Sequence, residues 1–462
     1  MSVRKSIFRL FLCLFVLAFA NCAVALQNEN TKLSVTIYNQ GYAIVKEKLN
    51  INLNKGLNEY IMKDVPSTIV PASVKLYSEK NPNAITVAEQ NYIFDLVDNY
   101  KLLNKYIDKN IGIQLKDKYF NGVLLSAVGN YILKTENEIV SIMPEKIVYI
   151  NYPELPDGLI TKPSLKWKIH STIDGNQECI ALYETRDISW HAEYVTLLKD
   201  DDKKLDLKCW VNINNPTSRL FKDAKLKLMA GDINRAASSK QIYRKKMNMM
   251  MAETADYSVP EFDSQSFFEF YLYTLNTTID ITANSEKQVS LFEANDIPAV
   301  KKYVYNASID AKKVSVNLVF ENSKKNNVGM AMPAGKIRVN KIDAKDNSIE
   351  FIGEDRIDHT PENDTITIKL GKAFDLKADR ILKNSRRYSD RRWEETYEIS
   401  LLNSKKEEVE IEVIENLASY ANWRIFDNNF KFEKLSASQI KFILKIKPES
   451  RELLKYSVEY NN

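Results

Sequence analysis

Six side chains between residues 386 and 393 have the types that bind anions and flat rings. They are Arg386, Arg387, Tyr388, Arg391, Arg392 and Trp393. Guanidinium groups pair with carboxylates and phosphates, and aromatic faces attract cations, so this run could bind an acidic polysaccharide or a phosphate. Acidic residues also stand at 390, 394 and 395. The pattern therefore favours a strand approach that neutralises its own charge.

The three histidines, His170, His191 and His359, are too scattered to predict a transition-metal site. Such a site usually takes two or three imidazoles or thiolates at short spacing. His170 falls on the polar side of an alternating run, and His191 follows Trp190. The sequence favours ordinary surface or packed histidines at all three positions.

The densest group of ligand-type residues ends at His359. Glu354, Asp355 and Asp358 precede it, and their carboxylates could bind a hard cation. Their spacing matches no calcium loop of the Asp-x-Asp-x-Asp-Gly kind. Asp side chains also close tight turns by bonding to the backbone, so the run predicts a solvated hairpin turn.

A methionine-rich run covers Met247, Met249, Met250 and Met251. Thioethers are soft ligands that suit cuprous copper, but three basic residues at 244–246 would repel the ion. An acidic, serine-containing run follows. The sequence therefore predicts a mobile loop over 236–264.

The sequence contains no fingerprint of a known catalytic or cofactor-binding motif. Gly-x-Ser-x-Gly, the phosphate-binding loop, His-Glu-x-x-His and the dinucleotide-binding glycine pattern are all missing. We therefore expect no cofactor, no bound metal and no assignable catalytic residue. A glycosidase's carboxylate pair comes together only in the fold and leaves no spacing signature, so hydrolysis stays open as an alternative.

The amino terminus has the pattern of a secretory signal peptide. Three basic residues precede an apolar run over Leu10–Ala20, and Ala23-Val24-Ala25 follows. These features predict cleavage after Ala25. The apolar run is shorter than the roughly 20 residues that a membrane-spanning helix needs. A lipid anchor at Cys22 is disfavoured because Asn21 precedes it, and the pocket of the processing enzyme leaves little room for an amide side chain at that position.

The charge balance changes once this segment is removed. Without its three basic residues the chain has 62 Lys and Arg against 61 Asp and Glu. A near-neutral, mixed surface gives no electrostatic footprint for nucleic acid or an anionic bilayer. We expect an exported protein, periplasmic or secreted in a bacterium, with no nucleic-acid partner and no membrane span in the mature chain.

Two cysteines, Cys179 and Cys209, remain after cleavage. Both lie in strand-like runs, and Cys209 alternates in step with Leu205, Leu207 and Val211, which points it inward. A buried free thiol at each position is favoured because free cysteine is among the most buried residue types. A disulfide between them is the alternative in an oxidising compartment.

Alternating apolar and polar residues predict a mainly β chain. Leu165 to Ile173 alternates, Asp174-Gly175-Asn176 supplies turn residues, and a second strand reaches Tyr183, which predicts a hairpin. Similar runs recur as far as Ile446. They favour several antiparallel, immunoglobulin-like β-sandwich units with few short helices. The best helical candidate is Asn91–Ile107.

Four or five short strands between residues 110 and 150 would suit a small barrel, closed or half-closed. The predicted division of the chain is 1–25 signal peptide, 26–90 N-terminal β region, 91–155 short helix and barrel-like segment, 156–300 sandwich with the methionine-rich loop, and 301–462 C-terminal sandwich.

One strand ending recurs three times. Asn215, Asn322 and Asn403 each stand beside a turn-forming residue at the end of an apolar run. Asparagine side chains bond the nearby backbone and close such strands well. We interpret the three positions as corresponding corners of sandwich-like units, with chance repetition in an Asn-rich sequence as the alternative.

Five segments resemble one family, in order along the chain. They are Val35–Val45, Ile188–Tyr194, Met229–Asn234, Met332–Val339 and Phe351–Asp355, the last followed by His359-Thr360-Pro361. They resemble exported bacterial proteins with the domain of unknown function 4139, the mucoidy inhibitor A type. The resemblance implies no reaction and no catalytic residues. Those proteins usually hold a long coiled coil, whereas this chain has no sustained heptad run.

The composition favours binding over catalysis. Twenty-four Tyr against three His residues supply contact surface more readily than proton transfer. We expect a non-enzymatic envelope module for binding or scaffolding, with an envelope protein or a polysaccharide as partner. A carbohydrate-active or other hydrolase using a carboxylate pair is the alternative. The sequence indicates no oligomeric state.

Overall fold

The structure, a computed structural model, describes residues 32–199, 202–231, 233–235 and 262–462. The predicted signal peptide 1–25, its cleavage site after Ala25 and the disfavoured lipid site at Cys22 lie outside the described residues. Residues 236–261 of the predicted methionine-rich loop lie outside them too. The last part of that loop, 262–264, belongs to a strand.

The chain is mainly β, as the alternation predicts. The first part holds β1 (Leu33–Tyr38), β2 (Tyr42–Leu53), β3 (Gly56–Lys63), β4 (Lys75–Ser78) and β5 (Ile85–Ile93). The next part holds the helix α1 (Asn99–Lys105) and the short strands β6 (Asn110–Leu115), β7 (Tyr119–Ser126), β8 (Tyr131–Lys134), β9 (Ile139–Ile142) and β10 (Ile147–Asn151).

Longer strands fill the middle of the chain. They are β11 (Ser164–Ser171), β12 (Gly175–Arg186), β13 (Ser189–Leu198), β14 (Lys204–Asn215), β15 (Phe221–Ala230), β16 (Phe262–Phe267), β17 (Phe270–Ile281) and β18 (Ser285–Asn306). Short 3-10 turns occur at Pro71–Ser73, Pro144–Lys146 and Lys324–Asn326.

The last part is also built of strands. They are β19 (Lys313–Asn322), β20 (Gly335–Ile342), β21 (Ile349–Ile357), β22 (Asp364–Arg387), β23 (Arg392–Asn403), β24 (Val409–Asn416), β25 (Asn422–Phe426), β26 (Phe432–Ser436), β27 (Gln439–Ile446) and β28 (Ser450–Asn461).

The predicted helix at Asn91–Ile107 is correct only in its second half. The carboxylate of Asp98 accepts a hydrogen bond from the Lys101 backbone N–H at 2.8 Å and begins α1 at Asn99. Residues 91–93 instead continue β5, where they pair with β11. Pairing with a distant strand overrides the local helical pattern.

The predicted hairpin of Leu165 to Tyr183 is wrong in its pairing. Both strands form, and Gly175 takes the positive φ of 99° that the turn prediction requires. However, β11 pairs with β3 and β5, whereas β12 pairs with β2 and β4. The turn therefore connects two different sheets. Its residues permit the chain to reverse but do not determine which strands pair.

The N-terminal strands share sheets with later ones. The first sheet has the order β16-β17-β15-β1-β2-β12-β4, and the second has the order β3-β11-β5. In the first sheet β1 runs parallel to β15, and β2 pairs antiparallel with β12 along its full length. Strands of the predicted N-terminal region 26–90 therefore pair with strands of the later regions.

A thirteen-strand set contains the rest of the long strands. Its main order is β21-β20-β13-β14-β18-β19-β22-β23-β28-β25, with β24, β26 and β27 attached beside β18. The first half of β18 pairs with β14 and its second half with β19 and β24. The predicted domain boundary at 300 falls inside this strand, so adjacent layers share a backbone there.

Three hydrophobic clusters hold the layers together. The first joins the first sheet to β13 and β14 through residues such as Val35, Leu226 and Val211. The second joins β24 and β27 to β23 and β28, and the third lies under α1 and the short strands. Burial of each of these aliphatic side chains stabilises the folded state by roughly 1.5–3 kcal/mol.

The short strands form an open five-stranded sheet, not a closed barrel. Their order is β10-β6-β7-β8-β9, so the number of strands is predicted correctly. Among the described residues β9 and β10 are not paired with each other. A closed barrel would need that pairing to remove both edges.

The three asparagines occupy equivalent positions at strand ends, as their shared sequence pattern predicts. Asn215, Asn322 and Asn403 are each the fully buried last residue of a strand. The Asn403 side-chain amide donates to three backbone carbonyls, those of Glu407 (2.8 Å), Ile446 (3.1 Å) and Lys447 (3.0 Å). Its carbonyl oxygen accepts from the Lys405 N–H at 3.0 Å.

The other two asparagines make the same set of bonds. The Asn215 amide donates to the carbonyls of Arg219, Ile281 and Thr282. The Asn322 amide donates to those of Met330, Thr360 and Pro361. In the paired strand the three asparagines face the first residue of β18, β22 and β28 respectively. The same arrangement of hydrogen bonds therefore closes three strand ends.

Candidate ligand-binding surface

The structure brings the six predicted arginine and aromatic residues together at one hairpin tip, here called the arginine hairpin (residues 386–393). It joins the end of β22 to the start of β23, with Arg387 opposite Trp393. The turn is held by the Ser389 hydroxyl, which accepts from the backbone N–H groups of Arg391 and Arg392 at 3.2 and 3.1 Å. The tip therefore has a defined backbone.

Part of the hairpin neutralises its own charge, as the sequence favours. Arg392 contacts the Glu459 carboxylate at 2.5 Å, and Arg424 contacts the same group at 2.8 Å. Hydrogen bonds from these guanidinium groups, above all Arg392, lower the pKa of Glu459. Arg387 pairs with Asp390 at 3.3 Å. The Arg392 contact fixes the hairpin to β28, and Arg424 of β25 shares the same carboxylate.

Two arginines are not compensated in this way. Arg386 and Arg391 are exposed, and within the described part of the chain neither has a carboxylate partner. The Arg386 guanidinium lies 4.8 Å from the centre of the Tyr388 ring. Tyr388 in turn donates its hydroxyl to Glu394 at 2.7 Å, a bond that raises the pKa of the phenol. The tip presents two positive charges on an ordered frame.

Beside the hairpin lies a stack of three rings, here called the aromatic platform (Trp393, Tyr420 and Tyr460). The centre of the Trp393 ring is 4.8 Å from that of Tyr460 and 6.1 Å from that of Tyr420, with planes inclined by 22° and 23°. Tyr460 is 3% exposed and Tyr420 is 70% exposed. The stack is thus anchored at one ring and open at another.

The histidines lie in separate surroundings. His170 is exposed on β11, His191 contacts Asn212 at 3.2 Å, and the His359 Nδ1 accepts from the Ala334 N–H at 3.1 Å. Within the described ranges no group of three or more His, Cys, Asp or Glu side chains is arranged to hold a metal ion.

The hairpin turn predicted for Glu354 to His359 is wrong. Residues up to Ile357 belong to β21, and Glu354 contacts Arg338 at 3.5 Å. The Asp355 carboxylate accepts from the backbone N–H of Lys369 in β22 at 2.8 Å. Asp355 therefore links β21 to β22, two strands that are not neighbours in the sheet order, a role that its local sequence does not reveal.

Cys179 and Cys209 are free and buried in the structure. Cys179 lies on β12 of the first sheet and Cys209 on β14 of the thirteen-strand set. Burial raises the pKa of the Cys179 thiol to about 11 and also raises that of Cys209. Both thiols behave as small apolar core residues.

One carboxyl group in the described residues has a raised pKa, that of Glu415. It is 1% exposed, and burial is the main cause of the shift. Its carboxylate accepts hydrogen bonds from the Arg380 side chain at 2.9 Å and from the Tyr456 hydroxyl. Arg380 also lies 3.7 Å from the Tyr397 ring centre. We interpret this enclosed network as structural.

A second cluster, missed at the sequence level, lies at the turn between β1 and β2. The Tyr38 and Tyr42 rings stack at 4.3 Å, and the Arg235 guanidinium lies 3.9 Å from the Tyr42 ring centre. Arg235 also pairs with Glu184 at 2.7 Å. Burial, followed by the charge of Glu184, raises the pKa of Tyr38. We call these four residues the tyrosine stack.

Four of the five segments quoted for the family resemblance meet near this stack. The Asn39 backbone N–H donates to the Met229 carbonyl at 3.4 Å, and its side chain contacts His359 at 3.4 Å. The Trp190 indole N–H donates to the same Met229 carbonyl at 3.2 Å. The sequence order of these segments gave no sign of this contact.

Comparisons of the sequence with protein-family models and with curated proteins found no match. The resemblance to the family with domain 4139 therefore stays a prediction. In the described part of the chain, no helix has the length and apolar character needed to cross a bilayer.

Proposed function

We propose that this chain is an exported bacterial envelope protein that acts as a non-enzymatic binding module, with the arginine hairpin as its ligand contact. The observation that supports this proposal is the pair of exposed guanidinium groups, Arg386 and Arg391, that have no carboxylate partner in the described residues. Guanidinium groups of this kind bind carboxylate, sulfate or phosphate groups through paired hydrogen bonds. The ligand class is therefore anionic.

The frame around these arginines favours binding. Arg392 and Arg424 hold Glu459 between them, and Ser389 fixes the turn. A contact surface that is ordered before binding loses less entropy when the ligand arrives. The hairpin is thus suited to recognition without a large rearrangement.

Removal of the two uncompensated arginines tests the proposal. We expect the R386A/R391A variant to bind polyanions at least about tenfold more weakly at low salt, since a hydrogen bond to a charged group contributes roughly 1.5–3 kcal/mol. The difference in polyanion affinity between the parent and the variant should shrink as the salt concentration rises, because salt screens exposed charges. Titration calorimetry with polygalacturonate and polyphosphate measures both effects.

A charge-matched variant provides the control. Lys116 and Lys118 are exposed in the turn between β6 and β7, so K116A/K118A removes the same charge at another place and should bind like the parent. Equal binding by R386A/R391A and the parent would contradict the proposal. Specific turnover in a glycan hydrolysis screen would overturn its non-enzymatic part and support the hydrolase alternative.

Export rests on the amino-terminal sequence. The basic start, the apolar run over Leu10–Ala20 and the small residues before position 26 support secretion followed by cleavage. We expect the protein isolated from the cell envelope to begin at Leu26, as determined by terminal sequencing or intact mass. A mass that retains residues 1–25, or a lipid-modified Cys22 terminus, would contradict this processing.

A further inference from the structure

We infer that the arginine hairpin and the aromatic platform together form a subsite for an acidic sugar, such as one uronic acid residue of an anionic polysaccharide. This inference rests on the proposed function and names the ligand class of the same site. It assigns the sugar ring to the platform and the carboxylate of the sugar to Arg391.

The first step is the position of the two features on one face of the sheet. Directly opposed residues in antiparallel strands project to the same side. Arg387 faces Trp393, and Trp393 faces Tyr460. Arg391 continues the ladder, since its carbonyl accepts from the Asn462 N–H at 2.8 Å. Arg391 is the last residue of the turn before β23 and precedes Trp393 by two residues, so its backbone lies at the edge of the platform.

The second step is the charge of the opposite face. There Arg386 faces Glu394, Glu394 faces Glu459, and Glu459 faces Arg424. The carboxylates in this row are already bonded, that of Glu394 to the Tyr388 hydroxyl and that of Glu459 to two guanidinium groups. The two carboxylates of the opposite face are thus already bonded, and that face carries the exposed Arg386, whereas Arg391 lies beside the platform.

The third step is the chemistry of the platform. The face of an aromatic ring carries partial negative charge and attracts weakly positive C–H groups. A sugar ring presents such C–H groups on its flat side. Tyr420, exposed over 70% of its surface, offers the open ring, and Trp393 holds it in place from 6.1 Å.

Acidic groups near the platform are accounted for. Glu395 shares this face but accepts a hydrogen bond from the Tyr397 hydroxyl at 2.7 Å. Asp390 pairs with Arg387 at 3.3 Å. Neither contact involves Arg391, so its guanidinium is available for a carboxylate in the paired geometry that arginine favours.

The test compares three polymers with the mature protein. Polygalacturonate carries sugar rings and carboxylates, polyphosphate carries charge without sugar, and dextran carries sugar without charge. We expect the Y420A variant to bind polygalacturonate about fivefold more weakly, in line with the loss of one ring contact, and polyphosphate as the parent does. Tyr420→Phe should restore the affinity for polygalacturonate.

Three further variants complete the design. Arg391→Ala should weaken binding of both anionic polymers and should do so more than Arg386→Ala. Tyr100→Ala is the matched control, because Tyr100 on α1 is 74% exposed and lies outside the site; this variant should change neither affinity. Dextran should bind the parent at least about tenfold more weakly than polygalacturonate.

The outcomes separate this inference from the proposed function. If Y420A binds polygalacturonate like the parent, or weakens polyphosphate equally, the sugar subsite is wrong while the arginine contact stands. If dextran binds as tightly as polygalacturonate, the acidic-sugar assignment is wrong. If the parent binds neither anionic polymer, both proposals fail.

Discussion

Three fully buried asparagines each close the end of a strand in this molecule. The Asn403 side chain, at the end of β23, donates hydrogen bonds to three backbone carbonyls. One belongs to Glu407 in the loop before β24, and the others belong to Ile446 and Lys447 at the end of β27. The side chain is fully buried, so these bonds are shielded from bulk water. The same set recurs at Asn215 and Asn322, so one residue type performs one structural role three times.

Substitution of Asn403 should therefore destabilise the protein strongly. We expect Asn403→Ala to lower the free energy of unfolding by about 3–5 kcal/mol, since several buried carbonyls lose their donor. Asn403→Asp keeps the shape but replaces the donor by an acceptor, and it should be at least as damaging. Urea unfolding followed by tryptophan fluorescence measures the change.

An exposed asparagine serves as the comparison. Asn384 is exposed on β22, and Asn384→Ala should shift stability by less than about 0.5 kcal/mol. Similar unfolding curves for the Asn403 and Asn384 variants would show that the corner bonds do not stabilise the fold.

At the scale of single elements, the turn between β16 and β17 departs from its neighbours. Thirteen non-glycine residues among those described have positive φ, and twelve of them are Asp, Asn or Glu. The other is Phe268, at φ 59° and 82% exposed. Positive φ suits Asn and Asp but is costly for a bulky side chain.

Replacement of this residue should stabilise the turn. We expect Phe268→Asn to raise the free energy of unfolding by about 1 kcal/mol, because Asn tolerates the left-handed backbone at little cost. Phe267→Asn, at the adjacent strand position, should give no such gain. Thermal unfolding of both variants compares them, and a lower midpoint for Phe268→Asn than for the parent would contradict the explanation.

Elements were predictable where the signal is local. Alternation located β11, β12 and the part of β14 around Cys209, and the contiguous run 386–393 placed all six residues of the arginine hairpin at one tip. The partner strands were not predictable, because β1 pairs with β15 nearly two hundred residues later. The platform was missed for the same reason, since Tyr420 and Tyr460 reach Trp393 only in the fold.

At the scale of the whole molecule, shared strands join adjacent layers. β18 and β22 each leave one layer and enter the next, pairing with different neighbours along their length. A boundary at residue 300 was a natural reading of the sequence, yet it divides a continuous strand. The hairpin at the end of β22 is tied to β28 by the ion pair between Arg392 and Glu459.

The most direct test of the central claim is to map where an anionic polysaccharide protects the protein. Hydrogen–deuterium exchange of the mature chain with and without polygalacturonate should show slower exchange at residues 386–393 and 419–421, and little change around Lys116. Binding that protects other surfaces and leaves the arginine hairpin unchanged would contradict the account.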